Sequence, residues 1–204
     1  MKLYYMPSAC SLTIHIALEW IGKPYETQKM DREGIKSADY LKINPLGAVP
    51  ALTDGDFALT QNVAIVSYLA ALNPEAGLLG DGTPKSAAEV MRWLAFINSD
   101  LHRTFSLVFA PQRFLSGEGA QEELRASAAS ILRSHYTLLD KQLEGRDYLT
   151  GAKPTVADAY MFVTLRWAHA KGINLGGLDK LPGFFERMKT NPGVAAALKA
   201  EGLE

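Results

Sequence analysis

The stretch between positions 44 and 52 reads Asn44-Pro45-Leu46-Gly47-Ala48-Val49-Pro50-Ala51-Leu52. Pro50 stands at the start of a strand-like run, and a proline there removes a hydrogen-bond donor from the strand ladder. Such a proline is tolerated in a turn, often after a cis peptide bond. The backbone of Val49 would then be free to pair with an extended ligand instead of with the sheet.

Around this turn the first third of the chain has the pattern of an α/β unit. Four short strands are predicted, over residues 2–5, 26–30, 49–53 and 57–59. A helix over 11–21, ended by Gly22, separates the first two strands. The Asp-Gly signal within 54–56 predicts a hairpin between the last two. With a further helix from 61 to about 72, the predicted order is β-α-β followed by β-β-α.

The rest of the chain is predicted to be all-helical. Pro, Gly and Asx residues concentrate between 73 and 84, which is typical of a linker. Helical patterns follow at roughly 85–110, 120–143, 156–171, 181–189 and 192–200. The sequence therefore predicts two domains, over 1–77 and 85–204, joined by a linker over 78–84.

The composition argues against several classes of protein. The 204 residues include 21 Lys+Arg and 22 Asp+Glu, which gives a formal net charge of -1. Because no basic block is present, neither nucleic acid nor a membrane surface is an expected partner. No run resembles a signal peptide or a membrane span, so a cytoplasmic location is expected. One cysteine and four scattered histidines predict neither an internal disulfide nor a metal site.

Cys10 is a candidate reactive group because it precedes the first turn of a predicted helix. Unpaired N–H groups and the helix dipole favour an anion there, and such a location can lower the pKa of a thiol. The competing interpretation is a buried free cysteine that acts as a small hydrophobic residue. The position alone does not decide between the two.

A second candidate is the polar start of the helix in Thr60-Gln61-Asn62-Val63-Ala64-Ile65. Helix N-termini bind carboxylates through their free N–H groups and their dipole. The alternative is an ordinary capped helix without a ligand. Both interpretations stay open at this point.

Read together, these pieces resemble the thioredoxin-like N-terminal domain of the cytosolic glutathione transferases, and the resemblance extends over essentially the whole chain. The opening Met1-Lys2-Leu3-Tyr4-Tyr5-Met6-Pro7-Ser8-Ala9-Cys10-Ser11-Leu12 is similar to the start of the bacterial beta class, which carries a cysteine at this place. The segment Thr155-Val156-Ala157-Asp158-Ala159-Tyr160 resembles the family's buried helix-capping box, in which Thr155 caps and Asp158 reaches back. The implied fold is a thioredoxin-like domain followed by an all-helical domain that lines the electrophile site.

The resemblance implies how glutathione is held. Val49, before a cis Pro50, would pair its backbone with the cysteinyl part of glutathione. Gln61 and Asn62 would hold the γ-glutamyl end. Lys36 would approach the glycyl carboxylate.

The resemblance also implies the groups around the sulfur. Cys10 would lie beside the glutathione sulfur, close enough to form a mixed disulfide, and Tyr5 and Ser11 are alternative hydroxyl donors. The segment 93–103 is similar to a long helix of the beta class, on which His102 would face the active site. His102 would then keep a thiol ionised or donate a hydrogen bond to it, although a lone helical histidine is more often structural.

An apolar wall for the second substrate is expected from the helical domain. By analogy with the family, the candidates are Arg103, Phe105, Phe109, Arg166 and Trp167. Aromatic residues at helical spacing are more often part of the core, which is the competing interpretation.

The implied function is that of a glutathione S-transferase, which conjugates the glutathione thiolate to small electrophilic apolar substrates. One alternative is a glutathione-linked thiol–disulfide or peroxide reductase that uses Cys10 alone, since no Cys-x-x-Cys pair is present. Another is a non-catalytic binder of glutathione or apolar ligands, because one fold hosts many functions. The resemblance also implies a homodimer.

Overall fold

The computed structural model describes residues 1–204. Its strands are β1 (Lys2–Tyr5), β2 (Glu26–Lys29), β3 (Ala51–Asp54) and β4 (Phe57–Thr60). Its helices in the first part are α1 (Leu12–Ile21), α2 (Ala38–Ile43) and α3 (Asn62–Leu72). The later helices are α4 (Pro84–Phe96), α5 (Arg103–Phe109), α6 (Glu118–Gln142), α7 (Val156–Ala170), α8 (Leu181–Lys189) and α9 (Pro192–Glu201).

The four strands form one mixed sheet in the order β2-β1-β3-β4. β1 and β2 are parallel, as the crossover through α1 requires. β3 and β4 form the predicted antiparallel hairpin, with Leu52 opposite Leu59. The α/β order predicted for this part of the chain is confirmed.

α1 lies at the centre of the molecule, because every residue from Leu12 to Leu18 is buried. It packs on α3 on one side and on α7 and α9 on the other. Gly22, at a φ of 70°, ends it as predicted, and its N–H bonds to the carbonyl of Leu18. The residues just before α1 are thereby held between the sheet and the later helices.

Two local features differ from the prediction. β3 begins at Ala51 rather than at 49, since Pro50 has no N–H to donate to a ladder. The helix α2 was not predicted because it has only six residues; Ser37 caps it by accepting a hydrogen bond from the N–H of Tyr40 at 3.2 Å.

The long helix predicted over 85–110 is present as three successive segments. α4 leads into a π-helical turn over Ile97–His102, which leads into α5. Sequence periodicity does not distinguish such a turn from an α-helix, because the helical pattern of residues continues through the turn without a break. π turns occur frequently at functional sites.

The start of α7 forms the predicted capping box. One carboxylate oxygen of the fully buried Asp158 accepts from the N–H and the hydroxyl of Thr155, at 2.8 and 2.9 Å. The other accepts from the N–H of Leu149 at 2.8 Å. This carboxylate therefore fixes both the helix and the preceding turn.

One cluster of 42 buried hydrophobic residues runs through the sheet and the helices together. The α/β part followed by an all-helical part is the predicted fold class. None of the helices combines the length and the apolar character needed to cross a membrane.

Candidate active site

A cavity of about 480 Å³ opens where the sheet-bearing part meets the long helix. We call its first side the sheet wall, formed by Cys10, Asn44, Leu46, Ala48, Val49, Pro50, Gln61 and Asn62. We call the opposite side the helical wall, formed by Asn98, Ser99, His102, Arg103, Ser106 and Tyr160. Of the residues predicted for the site, seven border this cavity: Cys10, Val49, Pro50, Gln61, Asn62, His102 and Arg103.

The turn before β3 brings Val49 to the cavity. The Val49-Pro50 peptide bond is cis, as predicted. The carbonyl of Val49 accepts a hydrogen bond from the thiol of Cys10 at 3.4 Å. The N–H of Val49 has no partner in the chain, so this donor is available to a ligand.

Asn44 fixes the loop that leads to this turn. Its Nδ2 donates to the carbonyl of Ala48 at 2.6 Å, and its Oδ1 accepts from the N–H of Leu46 at 3.1 Å. The Tyr40 hydroxyl donates to the same Ala48 carbonyl at 2.7 Å. The side chains of Asn44 and Tyr40 therefore both fix the main chain at Ala48 on this side of the cavity.

The N-terminus of α3 forms the next part of the sheet wall. Gln61 precedes the helix with a φ of 73°, and its side chain is exposed. Asn62 is only 3% exposed, and its Nδ2 donates to the carbonyl of Cys10 at 3.1 Å. Its Oδ1 has no partner in the protein. The free N–H groups of the first helical turn make this end of α3 suited to a carboxylate.

The environment of Cys10 does not activate its thiol in the free protein. Burial raises the pKa of this thiol to about 12, against the weaker opposite effects of the backbone N–H groups of Cys10 and Ser11 and of the Asn62 side chain. Of the two interpretations of Cys10, the structure therefore favours the buried cysteine, whose thiol has a raised and not a lowered pKa. The reason is that desolvation of the thiolate exceeds the stabilisation that nearby N–H groups provide.

His102 faces the cavity in its neutral form. Burial lowers the pKa of this imidazole to about 4, so the ring carries no positive charge at neutral pH. It cannot keep a thiol ionised through its charge, which corrects that part of the prediction. Its Nδ1 is hydrogen-bonded to the Tyr160 hydroxyl, and its ring centroid lies 4.9 Å from that of Trp167.

Tyr5, Ser11 and Lys36 lie away from the cavity. Tyr5 is 6% exposed and packs its ring against His15 with the centroids 5.4 Å apart. The Ser11 hydroxyl bonds to the N–H and the carbonyl of Met6, both at 3.2 Å. Lys36 is exposed at the end of a short 3-10 turn. In this arrangement none of the three side chains borders the space beside Cys10.

The expected apolar wall is divided between two places. Arg103 borders the cavity, whereas Phe105, Phe109 and Trp167 pack on one another with ring centroids about 5.5 Å apart. The reason is helical phase: positions 98, 102 and 106 share one face, and 105 and 109 fall on the next. These three aromatic rings are not part of the cavity lining, and Trp167 contacts the lining residue His102 with the ring centroids 4.9 Å apart.

Arg166 lies near the end of the chain instead of at the cavity. Its guanidinium donates to the carbonyl of Leu203 at 3.4 Å and lies 5.9 Å from the ring of Phe162. Burial lowers the pKa of this guanidinium.

The loop before Cys10 is tied to the helices through Ser8. Its carbonyl accepts from the indole N–H of Trp167 at 2.7 Å. Its N–H donates to Oε2 of Glu201 at 3.2 Å, while Oε1 of that carboxylate meets Nδ1 of His15 at 3.0 Å. Residues from both ends of the chain thus set the position of Cys10.

Sequence reasoning missed part of the helical wall. Asn98 and Ser106 stand four residues on either side of His102, so the helical repeat around that histidine would have indicated them. Ser99 precedes Arg103 by the same interval. Tyr160 lies inside the quoted capping segment, but no pattern in the sequence shows that its hydroxyl reaches the cavity.

Comparison with known proteins gives the family. Residues 1–71 match the glutathione S-transferase N-terminal domain, and residues 121–199 match the C-terminal domain of the same family. The chain is 49% identical, over 100% of both sequences, to glutathione S-transferase GST-4.5 of Xanthomonas campestris pv. campestris.

Solved structures agree over the whole chain. A glutathione S-transferase from Xylella fastidiosa is 45% identical, with a TM-score of 0.96 and coverage of 100% of this chain and 99% of that one. A sphingomonad enzyme complexed with glutathione is 37% identical at a TM-score of 0.86, and a bacterial beta class enzyme of Sphingomonas chungbukensis is 36% identical at 0.87, each with full coverage of both chains. The fold, the two family domains and these identities establish that the chain belongs to the glutathione S-transferase family and is a transferase, similar to the bacterial beta class.

Proposed function

We propose that glutathione binds in the cavity with its cysteinyl main chain paired to the backbone of Val49. The observation that carries this proposal is the N–H of Val49, which borders the cavity and makes no hydrogen bond within the chain. An unpaired backbone donor beside the end of a sheet suits an extended peptide-like ligand. The bound glutathione in the sphingomonad relative supports the assignment.

The γ-glutamyl end lies at the N-terminus of α3. There the free N–H groups of the first turn and the helix dipole favour its carboxylate. The exposed side chain of Gln61 and the buried amide of Asn62 are adjacent to these N–H groups. Glutathione then lies along the sheet wall with its sulfur toward Cys10.

Conjugation joins the glutathione sulfur to an electrophilic carbon. The C–S bond forms while the leaving group departs with its bonding electron pair, and the thiol proton passes to solvent. Burial keeps Cys10 as a thiol at neutral pH, and its S–H donates a hydrogen bond to the Val49 carbonyl. Glutathione therefore supplies the nucleophile. This chemistry favours conjugation over a mechanism in which Cys10 forms a mixed disulfide.

The helical wall indicates the kind of electrophile. All six of its side chains are polar, and Arg103 is the one charged side chain on either wall. Arg103 makes no ion pair within the chain. The electrophile we propose is therefore small and carries a polar or anionic substituent that meets Arg103.

Three measurements, on the wild type and on Cys10→Ala, test the proposal. We expect calorimetry to detect glutathione binding, turnover with a chloronitrobenzene to be retained within about tenfold in Cys10→Ala, and the intact mass to be unchanged after incubation with oxidised glutathione. Binding without turnover would make the protein a carrier. A reductant-sensitive glutathionyl adduct, together with turnover lost in Cys10→Ala, would replace conjugation by thiol–disulfide exchange.

The assembly, location and domain division are also proposals. We infer a homodimer, for which Leu46, 71% exposed, and Phe57, 49% exposed, offer apolar contact surface; sedimentation would measure its mass.

The single free cysteine fits a reducing compartment such as the cytoplasm. The division into 1–77 and 85–204 with a linker over 78–84 follows the change from mixed to all-helical structure.

A further inference from the structure

The Tyr160 hydroxyl is a buried group at the cavity that has no role in the conjugation described above. It lies 2.5 Å from Nδ1 of His102 and 3.3 Å from Oδ1 of Asn98. Burial and, to a smaller degree, Cys10 raise the pKa of this phenol well above its usual value, so it stays protonated. It is therefore a permanent hydrogen-bond donor beside the sulfur site.

The shorter of its two contacts sets the direction of the hydrogen bond. A phenol is a better donor than an imidazole N–H, and an unprotonated imidazole nitrogen is a better acceptor than a phenol oxygen. Tyr160 thus donates its single proton to Nδ1, and Oδ1 of Asn98, at 3.3 Å, is the weaker competing acceptor. A neutral imidazole carries its one proton on the nitrogen that does not accept.

The other ring nitrogen of His102 faces the cavity. Its Nε2 makes no hydrogen bond within the chain and keeps some solvent exposure, so it is accessible to a ligand. The Trp167 ring at 4.9 Å holds the imidazole plane in place. The ring is thereby fixed in both orientation and proton position.

We propose that Tyr160 is a positioning residue that holds His102 as the Nε2–H tautomer, so that this neutral ring donates a hydrogen bond into the cavity. With glutathione placed as in the proposed function, on which this inference rests, the donor reaches the sulfur or the departing group of the electrophile. Tyr160 acts through His102, because its one proton is donated to Nδ1 of that ring.

Nitrogen-15 NMR of the imidazole rings at neutral pH tests the tautomer directly, without any ligand. We expect the wild-type spectrum to show an Nε2–H ring that is missing in His102→Asn. In Tyr160→Phe, which keeps the ring and removes only the hydroxyl, the His102 signals should move to the averaged pattern of two exchanging tautomers. An Nδ1–H ring in the wild type, or an unchanged spectrum in Tyr160→Phe, would overturn the proposal.

Kinetics tests the role of the fixed tautomer. At saturating glutathione we expect kcat to fall about tenfold in Tyr160→Phe, and the double variant with His102→Phe to lose no more than His102→Phe alone. Additive losses would overturn a role through His102. Tyr136→Phe is the matched control, since Tyr136 is equally buried and its hydroxyl has no partner.

The two experiments separate this inference from the proposed function. If calorimetry detects no glutathione binding, the proposed function fails while the NMR spectrum still reports the tautomer. If glutathione binds and is turned over but the tautomer does not depend on Tyr160, only the present inference fails. Should Tyr160→Phe not fold, an Nδ1–H ring in the wild-type spectrum would still overturn the inference.

Discussion

The sheet wall and the helical wall of the cavity differ in how each presents polar groups. On the sheet wall the main chain supplies them, through the N–H of Val49 and the first turn of α3. On the helical wall, side chains such as His102 and Arg103 supply them from successive helical turns. A main-chain wall suits a constant peptide-like ligand, whereas a side-chain wall can change with each substitution. We therefore expect the first wall to determine glutathione affinity and the second to determine turnover and electrophile choice.

The largest effect is expected where the helical wall is anchored, at the start of α7. Asp158→Ala leaves two buried N–H groups and a hydroxyl without their acceptor. We expect the free energy of unfolding to fall by about 3 kcal/mol, measured by urea denaturation. Asp39→Ala is the matched control, since its carboxylate is exposed and pairs only with Lys42. An equal loss in both variants would contradict the anchoring role.

The same carboxylate predicts a dependence of stability on pH. Burial raises the pKa of Asp158 to about 6, above the value of about 4 for an unfolded chain. The folded state therefore holds the proton more tightly, and this contribution to stability is fully present below pH 4 and declines as the pH rises through 6. The free energy of unfolding of the wild type should show this slope against pH, whereas that of Asp158→Ala should lose it.

On the sheet wall, Asn62→Ala tests whether a side chain contributes to glutathione affinity where the main chain supplies most of the polar groups. The variant removes the amide that links α3 to the carbonyl of Cys10. We expect the glutathione Kd to rise about tenfold, while kcat at saturating glutathione changes little. Calorimetry and steady-state rates give the two values. A fall in kcat with unchanged Kd would reverse the assignment of the two walls.

On the helical wall, Arg103→Met keeps a long side chain and removes the charge. We expect kcat/KM for a carboxylated chloronitrobenzene to fall about fivefold, equivalent to an exposed ion pair of about 1 kcal/mol. The rate with the uncharged analogue and the Kd for glutathione should stay as in the wild type. If the Kd changes instead, Arg103 belongs with the glutathione contacts.

The smallest effect is expected at Gln61, where the backbone conformation costs stability and the side chain contributes to glutathione binding. Its φ of 73° is costly for any residue with a Cβ. Gln61→Gly should therefore raise the free energy of unfolding by about 0.5 to 1 kcal/mol while glutathione binding weakens severalfold through loss of the side chain. Thermal unfolding and calorimetry distinguish the two contributions; a destabilised variant would show that the glutamine side chain holds the turn.

A difference between local features and features of tertiary packing explains what could be predicted from the sequence. The turn at Val49-Pro50 and the start of α3 were located because proline and helix-start residues have local consequences. The capping box of Thr155 and Asp158 could be predicted for the same reason, and the structure confirms it. These features depend on neighbours in the chain, which the sequence displays directly.

The features that escaped prediction depend on tertiary packing. Whether Phe105 or Ser106 faces the cavity is a matter of helical phase across the turn over Ile97–His102. The pKa of Cys10 is set by burial between parts of the chain far apart in sequence. Tyr160 reaches the cavity because α7 packs against α4 and the π-helical turn. The surroundings of Cys10 and Tyr160 leave no local pattern, whereas the four-residue repeat around His102 would have indicated Ser106.

The contact between Ser8 and Glu201 joins residues separated by 193 positions. Loops closed over so long a separation form late, because much of the chain must already be ordered before the contact compensates for the entropy it costs. During synthesis, the loop that carries Cys10 leaves the ribosome first and cannot be locked until residue 201 has followed. The single thiol of the chain, although it is made early, is thus among the last groups to reach its native surroundings.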